Sequence, residues 1–168
     1  AINTHTNNIT PVTDEMTIKI TANNIDEDGT SNIKINLSNP SDGNKTEIGD
    51  TLTITIVENW KDKKELADGV SEKGTLIVPT GYTISSISTD LNGNTVYSIK
   101  KSDGSIFSVG EIDGLKYKSA SNRDGDVKFE VSVKNNETGS SVTLDSKGEA
   151  TITVTPVIDT NLDASTVI

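Results

Sequence analysis

Two acidic turns have the residue types and the spacing best suited to binding a metal ion. Asp26 and Asp28 lie two residues apart, and Asp124 and Asp126 have the same spacing. Two carboxylates so spaced in an extended turn can face one ion, and Ca²⁺ binds about six to eight such hard oxygens. Neither turn has the Glu that closes an EF-hand loop, so a Ca²⁺ site would need ligands from separate loops. The alternative is that these Asp-Gly pairs only form turns.

Catalytic side chains are scarce. His5 is the only histidine, and the chain has no cysteine. Ser-His and Cys-His nucleophile pairs are therefore not expected, nor are zinc sites built from Cys and His. No glycine-rich phosphate loop precedes a helix. With 25 Asp and Glu residues, a glycosidase-like pair of carboxylates would arise by chance. We therefore predict that the chain is not an enzyme.

Composition excludes further classes of partner. The 168 residues include 15 Lys and Arg against 25 Asp and Glu, a formal charge of −10, and only 4% aromatic residues. This balance disfavours nucleic acid and anionic membranes and suits divalent cations, so Ca²⁺ is the expected cofactor. No apolar run is long enough for a membrane helix. The chain begins without Met or a signal peptide, so we expect Ala1 to follow a cut from a longer polypeptide.

Alternation of apolar and polar residues predicts an all-β fold. The expected architecture is an antiparallel β-sandwich of about ten short strands, with one short helical turn near 60–68. Asp-Gly or Asn-Gly pairs predict turns at 28–29, 42–43, 68–69, 92–93, 103–104, 113–114 and 124–125, and Gly49-Asp50 and Gly139 are predicted loop positions. The predicted strands lie near 16–20, 33–37, 52–56, 75–79, 83–88, 94–100, 105–109, 127–133, 142–144 and 150–154.

One domain accounts for most of the chain. Residues 1–13 are polar with little pattern and are predicted to form an N-terminal tail. Residues 14–157 are predicted to form the sandwich, with an insertion around 58–93, and residues 158–168 to form a C-terminal linker.

Short motifs, in a particular order, resemble the tandem repeats of giant bacterial RTX adhesins, which have immunoglobulin- or cadherin-like sandwiches. In those repeats a strand leads to an Asp-x-Asp-Gly turn and an Ile-x-Ile strand, and later a Gly-Leu step precedes a Gly-Asp loop and a long alternating strand. The matching segments here are 18–20, 26–30, 33–35, 114–117, 123–133 and 150–157.

The resemblance implies roles for several residues. Asp26, Asp28, Asp124 and Asp126 would be Ca²⁺ ligands at one end of the sandwich. Glu15 and Asp159, near the two ends of the domain, would hold an ion at the junctions with flanking adhesin modules. The family is exported by type I secretion and remains at the bacterial cell surface.

The extra residues between 57 and 94 set this chain apart from a plain repeat. Similar adhesins contain a Ca²⁺-dependent module that grips the free C-terminus of a partner protein, and long insertions are where binding tends to occur. We therefore expect a calcium-dependent module that binds a peptide, or less readily a glycan, on a host or neighbouring cell. A purely structural extender of the stalk is the alternative.

Four residues are candidate ligand contacts: Trp60, Tyr97, Asp103 and Arg123. Asp103 is also a candidate Ca²⁺ ligand. The alternatives are that Trp60 and Tyr97 pack in the core or at its rim, that Asp103 forms a hairpin turn, and that Arg123 neutralises its acidic neighbours.

A third hypothesis is a sandwich closed by a Lys–Asn isopeptide bond, with Lys19, Lys34 or Lys128 as the lysine. All three alternate with apolar residues and so should face solvent, whereas such a bond needs buried partners.

Overall fold

The alternating segments of the sequence form strands that pair into two sheets. A computed structural model of the chain describes residues 13–39, 46–61, 72–137 and 139–157. The strands are β1 (Thr17–Ala22), β2 (Ile25–Asp26), β3 (Thr30–Ser38), β4 (Thr46–Trp60), β5 (Thr75–Ile77), β6 (Tyr82–Thr89), β7 (Thr95–Lys101), β8 (Gly110–Lys118), β9 (Gly125–Glu137) and β10 (Thr143–Thr155). The predicted all-β sandwich is confirmed.

The two sheets differ in size. The smaller has the order β1-β3-β8-β5, and the larger has the order β2-β10-β9-β4-β7-β6. Neighbouring strands are antiparallel, except that β2 runs parallel to the end of β10. The long strands β4 and β9 pair at the centre of the larger sheet, with Ile54 opposite Val131.

The core lies between the sheets and is built from the apolar member of each alternating pair. On β9, the side chains at every second position from Val127 to Val133 are buried. From the smaller sheet, Tyr117 packs edge-on against Phe129 with ring centroids 5.3 Å apart. Because successive side chains of a strand point to opposite faces, the Thr, Ser and Lys residues between them face solvent.

The strand predicted at 105–109 is wrong. The chain there is an irregular loop, and the strand begins five residues later as β8. Phe107 is buried from this loop, where it stacks on Tyr82 at 6.2 Å, and its backbone N–H donates to the Gly49 carbonyl at 3.0 Å. The apolar residues that suggested a strand are thus explained by one aromatic anchor of a loop.

The turn predicted at 113–114 is also wrong, because both residues lie within β8. Ile33 pairs with Leu115 and Ile35 with Ile112, so two β8 residues stand opposite one residue of β3. Gly114 takes a φ of +92° at this bulge. Bulges commonly place a glycine in a left-handed conformation, so the Asp-Gly signal marked a bulge rather than a hairpin.

Two further boundaries differ from the predictions. Gly49 and Asp50 are not in a loop but within β4, at an irregularity between Ile48 and Leu52. The separate strands predicted at 142–144 and 150–154 are one continuous strand, β10, because residues 145–149 between them also pair with β9.

The remaining predictions divide between described and undescribed residues. Turns at 28–29, 92–93 and 103–104 are present, with Asp28 at φ +63° and Gly93 at φ +82°. Residues 72–93 of the predicted insertion form the edge strands β5 and β6. The N-terminal tail up to residue 12, the turns at 42–43 and 68–69, most of the helical turn and the C-terminal linker lie outside the described residues.

The described residues contain no helix that is long and apolar enough to cross a membrane.

Gly148 tests how closely β1 packs against β10. A Cβ at this position would stand 2.4 Å from the Ile18 carbonyl oxygen and 2.9 Å from the Ile18 Cβ. We expect Gly148→Ala to lower the free energy of unfolding by about 1–3 kcal/mol, since the backbone must shift to admit the methyl group. Chemical denaturation measures this loss. Gly49→Ala is the control, since its nearest contact would be 3.5 Å away, and equal effects of the two changes would contradict the packing argument.

Candidate functional site

The two acidic turns predicted from the sequence meet at one end of the sandwich. Asp26 ends β2 and pairs with Thr155 near the end of β10, while Asp126 lies at the start of β9 opposite Thr153. The Asp126 Oδ1 accepts a hydrogen bond from the Thr153 hydroxyl at 3.3 Å. The strand registers therefore place both aspartate pairs at the same end, here called the acidic end.

Hydrogen bonds join the loops of the acidic end. The backbone N–H of Asn122 donates to the Asp28 Oδ1 at 3.2 Å, and that of Ser119 donates to the Gly29 carbonyl at 3.0 Å. The Asp124 carbonyl accepts from the Lys61 N–H at 2.9 Å. Segments that are 63 to 94 residues apart in sequence are thus connected around the predicted Ca²⁺ ligands.

The acidic end does not form a cage of carboxylates. Among the described residues, no three or more Asp, Glu, His or Cys side chains are arranged to hold a metal ion. Asp28 and Asp126 each use one carboxylate oxygen in an internal hydrogen bond. Any Ca²⁺ ion at this end would need backbone carbonyl and amide oxygens for much of its shell, and such oxygens are common Ca²⁺ ligands.

The other predicted Ca²⁺ ligands do not join this cluster. Glu15 precedes β1, and the N–H of the next residue, Met16, donates to the Ser146 hydroxyl near the start of β10, at the opposite end of the sandwich. Asp103 follows β7, also at that opposite end, and accepts from the Ser105 hydroxyl at 2.6 Å and N–H at 2.9 Å. These bonds lower the pKa of Asp103. Asp159 lies outside the described residues.

Three of the predicted ligand contacts are in the interior. Trp60, Tyr97 and Arg123 are 8%, 5% and 3% exposed. The Trp60 indole donates to the Glu72 carbonyl at 2.6 Å, and the Tyr97 hydroxyl accepts from the Leu76 N–H at 3.4 Å. Their packing leaves little surface for a ligand, whereas Asp103 is on the surface in its turn.

A carboxylate that the sequence analysis passed over lies between the sheets. Glu58 continues the inward-facing positions of Ile54 and Ile56 on β4 and accepts a short hydrogen bond from the Tyr117 hydroxyl on β8. The N–H of Gly74 donates to the same carboxylate oxygen at 2.7 Å. Burial raises the pKa of Glu58, and the two hydrogen bonds partly offset that effect. The sequence did contain a signal for Glu58, because a glutamate occupies an inward-facing position in the alternating pattern of β4.

Glu58 belongs to a clamp on the segment that leads into β5. Residues 72–74 are held by the Glu58 carboxylate, by the Trp60 indole and by Arg123, whose guanidinium lies 3.8 Å from the Glu72 carboxylate. A Cβ on Gly74 would stand 2.4 Å from the Lys118 carbonyl, so the backbone passes very close to β8. This clamp ties the two sheets together through polar contacts rather than forming an open site.

The outer face of the larger sheet carries a solvent-facing groove. Two depressions of about 370 and 310 Å³ meet at Ser132, and a third of about 220 Å³ continues along the end of β9. Hydroxyl and charged side chains of β4, β9 and β10 dominate the first two depressions. Their outward-facing lining residues are Asp50, Thr51, Thr53, Thr55, Glu130, Ser132, Lys134, Asp145, Lys147 and Glu149.

The lysines considered for an isopeptide bond all face outward. Lys19 is exposed, Lys34 is partly exposed, and Lys128 pairs with Glu130 at 3.0 Å on the outer face of the sheet. None of the three reaches the interior in which a Lys–Asn bond would be protected.

Comparisons with known proteins find structures that are similar to this one but no related sequences. No protein-family model matches the chain, and no curated protein sequence matches it. A structure of AvmM, described as catalysing macrocyclization in alchivemycin A biosynthesis, is similar over 90% of this chain and 95% of its own, with 11% identity and a TM-score of 0.45.

Two bacterial modules are similar at comparable levels. The collagen-binding domain of a Staphylococcus aureus adhesin aligns over 84% of this chain and 99% of its own, with 12% identity and a TM-score of 0.38. A cohesin module from a Clostridium perfringens family 33 glycoside hydrolase aligns over 85% and 97%, with 9% identity and a TM-score of 0.40. The assignment of the fold rests on the strand order and register of this chain.

The buried position of Glu58 predicts a pH-dependent stability. Because its folded pKa is raised, the native state keeps this proton at pH values where the unfolded chain has released it. The stability that protonated Glu58 contributes is therefore fully present below its unfolded pKa. It is lost as the pH rises through its folded pKa. Glu58→Gln keeps an acceptor for Tyr117 and removes the charge. We expect the variant to gain stability relative to the wild type as the pH rises above the ordinary glutamate pKa of about 4.3.

Urea denaturation at several pH values measures the difference between the two proteins. Glu111→Gln, which changes an exposed carboxylate on β8, is the control. A wild-type-minus-variant difference that stays constant with pH would contradict the role assigned to Glu58.

Proposed function

We propose that this chain is a binding module of a secreted bacterial surface adhesin, rather than an enzyme, and that it binds an extended peptide of a partner protein. The observation that carries the proposal is the groove on the outer face of β4, β9 and β10. A long, open depression on a rigid sheet suits an extended chain better than it suits a compact small molecule, whose sites are usually enclosed and largely apolar.

The chemistry of the groove indicates what kind of peptide it would bind. In the first depression Glu149 of β10 lies directly opposite Glu130 of β9, and Lys147 lies two residues from Glu149 on the same strand, so both signs of charge are present there. In the second depression Lys134 and Asp145 lie 3.7 Å apart and are both more than half exposed. Exposed pairs of this kind exchange partners at little cost, since they contribute only about 0–1 kcal/mol. A peptide of mixed charge can therefore replace the partners in these ion pairs, and a lysine of the groove can bind the terminal carboxylate of the peptide.

A groove-filling variant tests the proposal. We expect thermal melting with a panel of synthetic free-C-terminus peptides to show a stabilising shift for peptides of mixed charge, and Ser132→Trp to abolish that shift. Ser132 lies where the two depressions meet, so an indole there would occupy the peptide's path. Ser98→Trp on β7 is the matched control, since Ser98 shares the outer face but does not line the groove. Unchanged binding by Ser132→Trp, or a response to simple sugars alone, would contradict peptide binding in the groove.

A second candidate function, a calcium-rigidified extender of the adhesin stalk, is favoured by the acidic end. The Glu27 N–H donates to the Thr155 carbonyl at 2.8 Å, and the Glu27 carboxylate accepts from the Val157 N–H at 3.1 Å. The Asp26–Gly29 turn is thus fastened to the last described residues of the domain. Ca²⁺ at this turn would neutralise the clustered carboxylates and stiffen the connection to a neighbouring module.

Calcium dependence is measured by melting in excess CaCl₂ and in EGTA. We expect CaCl₂ to raise the melting temperature, because an ion that binds only the folded state stabilises it by about 2.7 kcal/mol at a hundredfold excess over Kd. Asp28→Asn should reduce that shift while preserving the turn, since Asn tolerates the positive φ of position 28. Asp113→Asn, an exposed change within β8, is the control. Identical melting in CaCl₂ and EGTA would refute a Ca²⁺ role without bearing on the groove.

A further inference from the structure

The four sheet edges are protected to very different degrees. β2 has two residues and β5 has three, and β5 lies between Lys73 and Pro79. β1 carries Lys19 and packs closely on Gly148 of β10. Short strands, lysines, prolines and covering elements are the devices by which proteins block strand addition. β2 pairs with only Val154 and Thr155, so most of that edge is the outer side of β10, which carries Asp145, Lys147 and Glu149. Three edges of the described sandwich therefore have such a device.

The fourth edge, β6, is eight residues long and uncharged, and no other described strand covers it. Its eight residues, YTISSIST, include no charged residue, no proline and no glycine. Five consecutive positions from Ser85 to Thr89 are exposed. Serine, threonine and isoleucine can all extend a sheet, and an uncovered strand of this length presents unpaired backbone groups to a further strand.

β6 also exposes apolar surface on the inner face of its sheet. Ile84 pairs with Ile99, and Ile87 pairs with the buried Tyr97, so both isoleucines point toward the core side. Ile84 packs against the core, but Ile87 is 60% exposed. The inner face of the larger sheet thus continues beyond the part that the core covers.

We propose that β6 is a homodimer interface, at which two copies of the chain join their larger sheets by antiparallel pairing of β6 with β6. The residue pattern is self-complementary for this arrangement. If Tyr82 stands opposite Thr89 of the second copy, Ile84 stands opposite Ile87. Directly opposite residues point to the same face of a sheet, so all four isoleucines of the pair lie on the inner face. Ile87 then gains an apolar neighbour.

The bulge in β6 does not break this symmetry. The register to β7 shifts between Ile84 and Ser86, and Ser85 donates its hydroxyl to the Ser98 carbonyl at 3.1 Å. In the pairing above, Ser85 of one copy stands opposite Ser86 of the other, so both bulges lie at the two-fold axis. The ladder would form as two runs, one on each side of the axis, as an isologous interface requires.

Charge also permits self-association at this edge. Residues 82–103, which include the β6–β7 hairpin, contain two lysines and two aspartates, a net charge of zero in a chain of −10. Lys101 lies beside Tyr82, whereas Asp90 follows Thr89. Antiparallel pairing brings the end with Lys101 and Asp103 in one copy to the Asp90 end of the other, so charges of mixed sign meet at both ends and no block of like charge opposes the pairing.

The first test is sedimentation velocity over a concentration series. We expect the wild type to dimerise reversibly and Ile87→Lys to weaken the dimer by roughly tenfold or more, because it places a charge within the paired edge. Leu91→Lys is the matched control: Leu91 is fully exposed in the turn after β6, so the change in charge is the same but falls outside the ladder. A wild type that stays monomeric up to its solubility limit would overturn the proposal, as would equal dimerisation of Ile87→Lys and the wild type.

Cross-linking tests the register. The chain has no cysteine, so Thr83→Cys combined with Ser88→Cys supplies the only thiols. In the proposed pairing the thiol at position 83 of each copy faces the thiol at position 88 of the other, and we expect a covalent dimer on oxidation that Ile87→Lys suppresses. Circular dichroism spectra and melting curves would show that both variants fold. Dimers that do not cross-link, or that cross-link equally with Ile87→Lys, would place the interface elsewhere and refute the proposal.

Discussion

The main constraint on this molecule is that a four-stranded sheet must cover the inner face of a six-stranded one. The apolar half of every alternating strand is buried only where the two sheets overlap, and this burial supplies the main stabilising free energy of the fold. The long central strands β4 and β9 lie under that cover. The edge of the larger sheet at β6 lies outside this cover, and Ile87 is exposed as a consequence.

The end of the sandwich near Trp60 shows a different solution to closing the core. There the interior contains the Glu58 carboxylate. It accepts hydrogen bonds from the Tyr117 hydroxyl of the opposite sheet and from the Gly74 backbone N–H. A buried polar group is costly when it lacks partners but specifies one arrangement when it has them. The clamp therefore fixes where the chain enters β5, and with it the position of the edge of the smaller sheet.

The surfaces suited to binding lie on separate parts of the molecule. The acidic end is formed by loops, the groove by the outward side chains of the central strands, and the free edge by the backbone of β6. Each can be occupied without blocking the others, as the proposed function requires. Buried Arg123, Trp60 and Tyr97 serve the fold rather than any of these surfaces.

Period-two alternation in the sequence alone determined that the chain forms strands and which side of most of them is buried, because side-chain direction in a strand depends only on residue parity. The sequence also identified the four aspartates that meet at one end. Only the tertiary structure decided that Gly114 forms a bulge, that Phe107 anchors a loop and that Glu58 faces Tyr117. Pairing register and contact between sheets join residues far apart in the chain, and short-range sequence patterns carry no information about such distances.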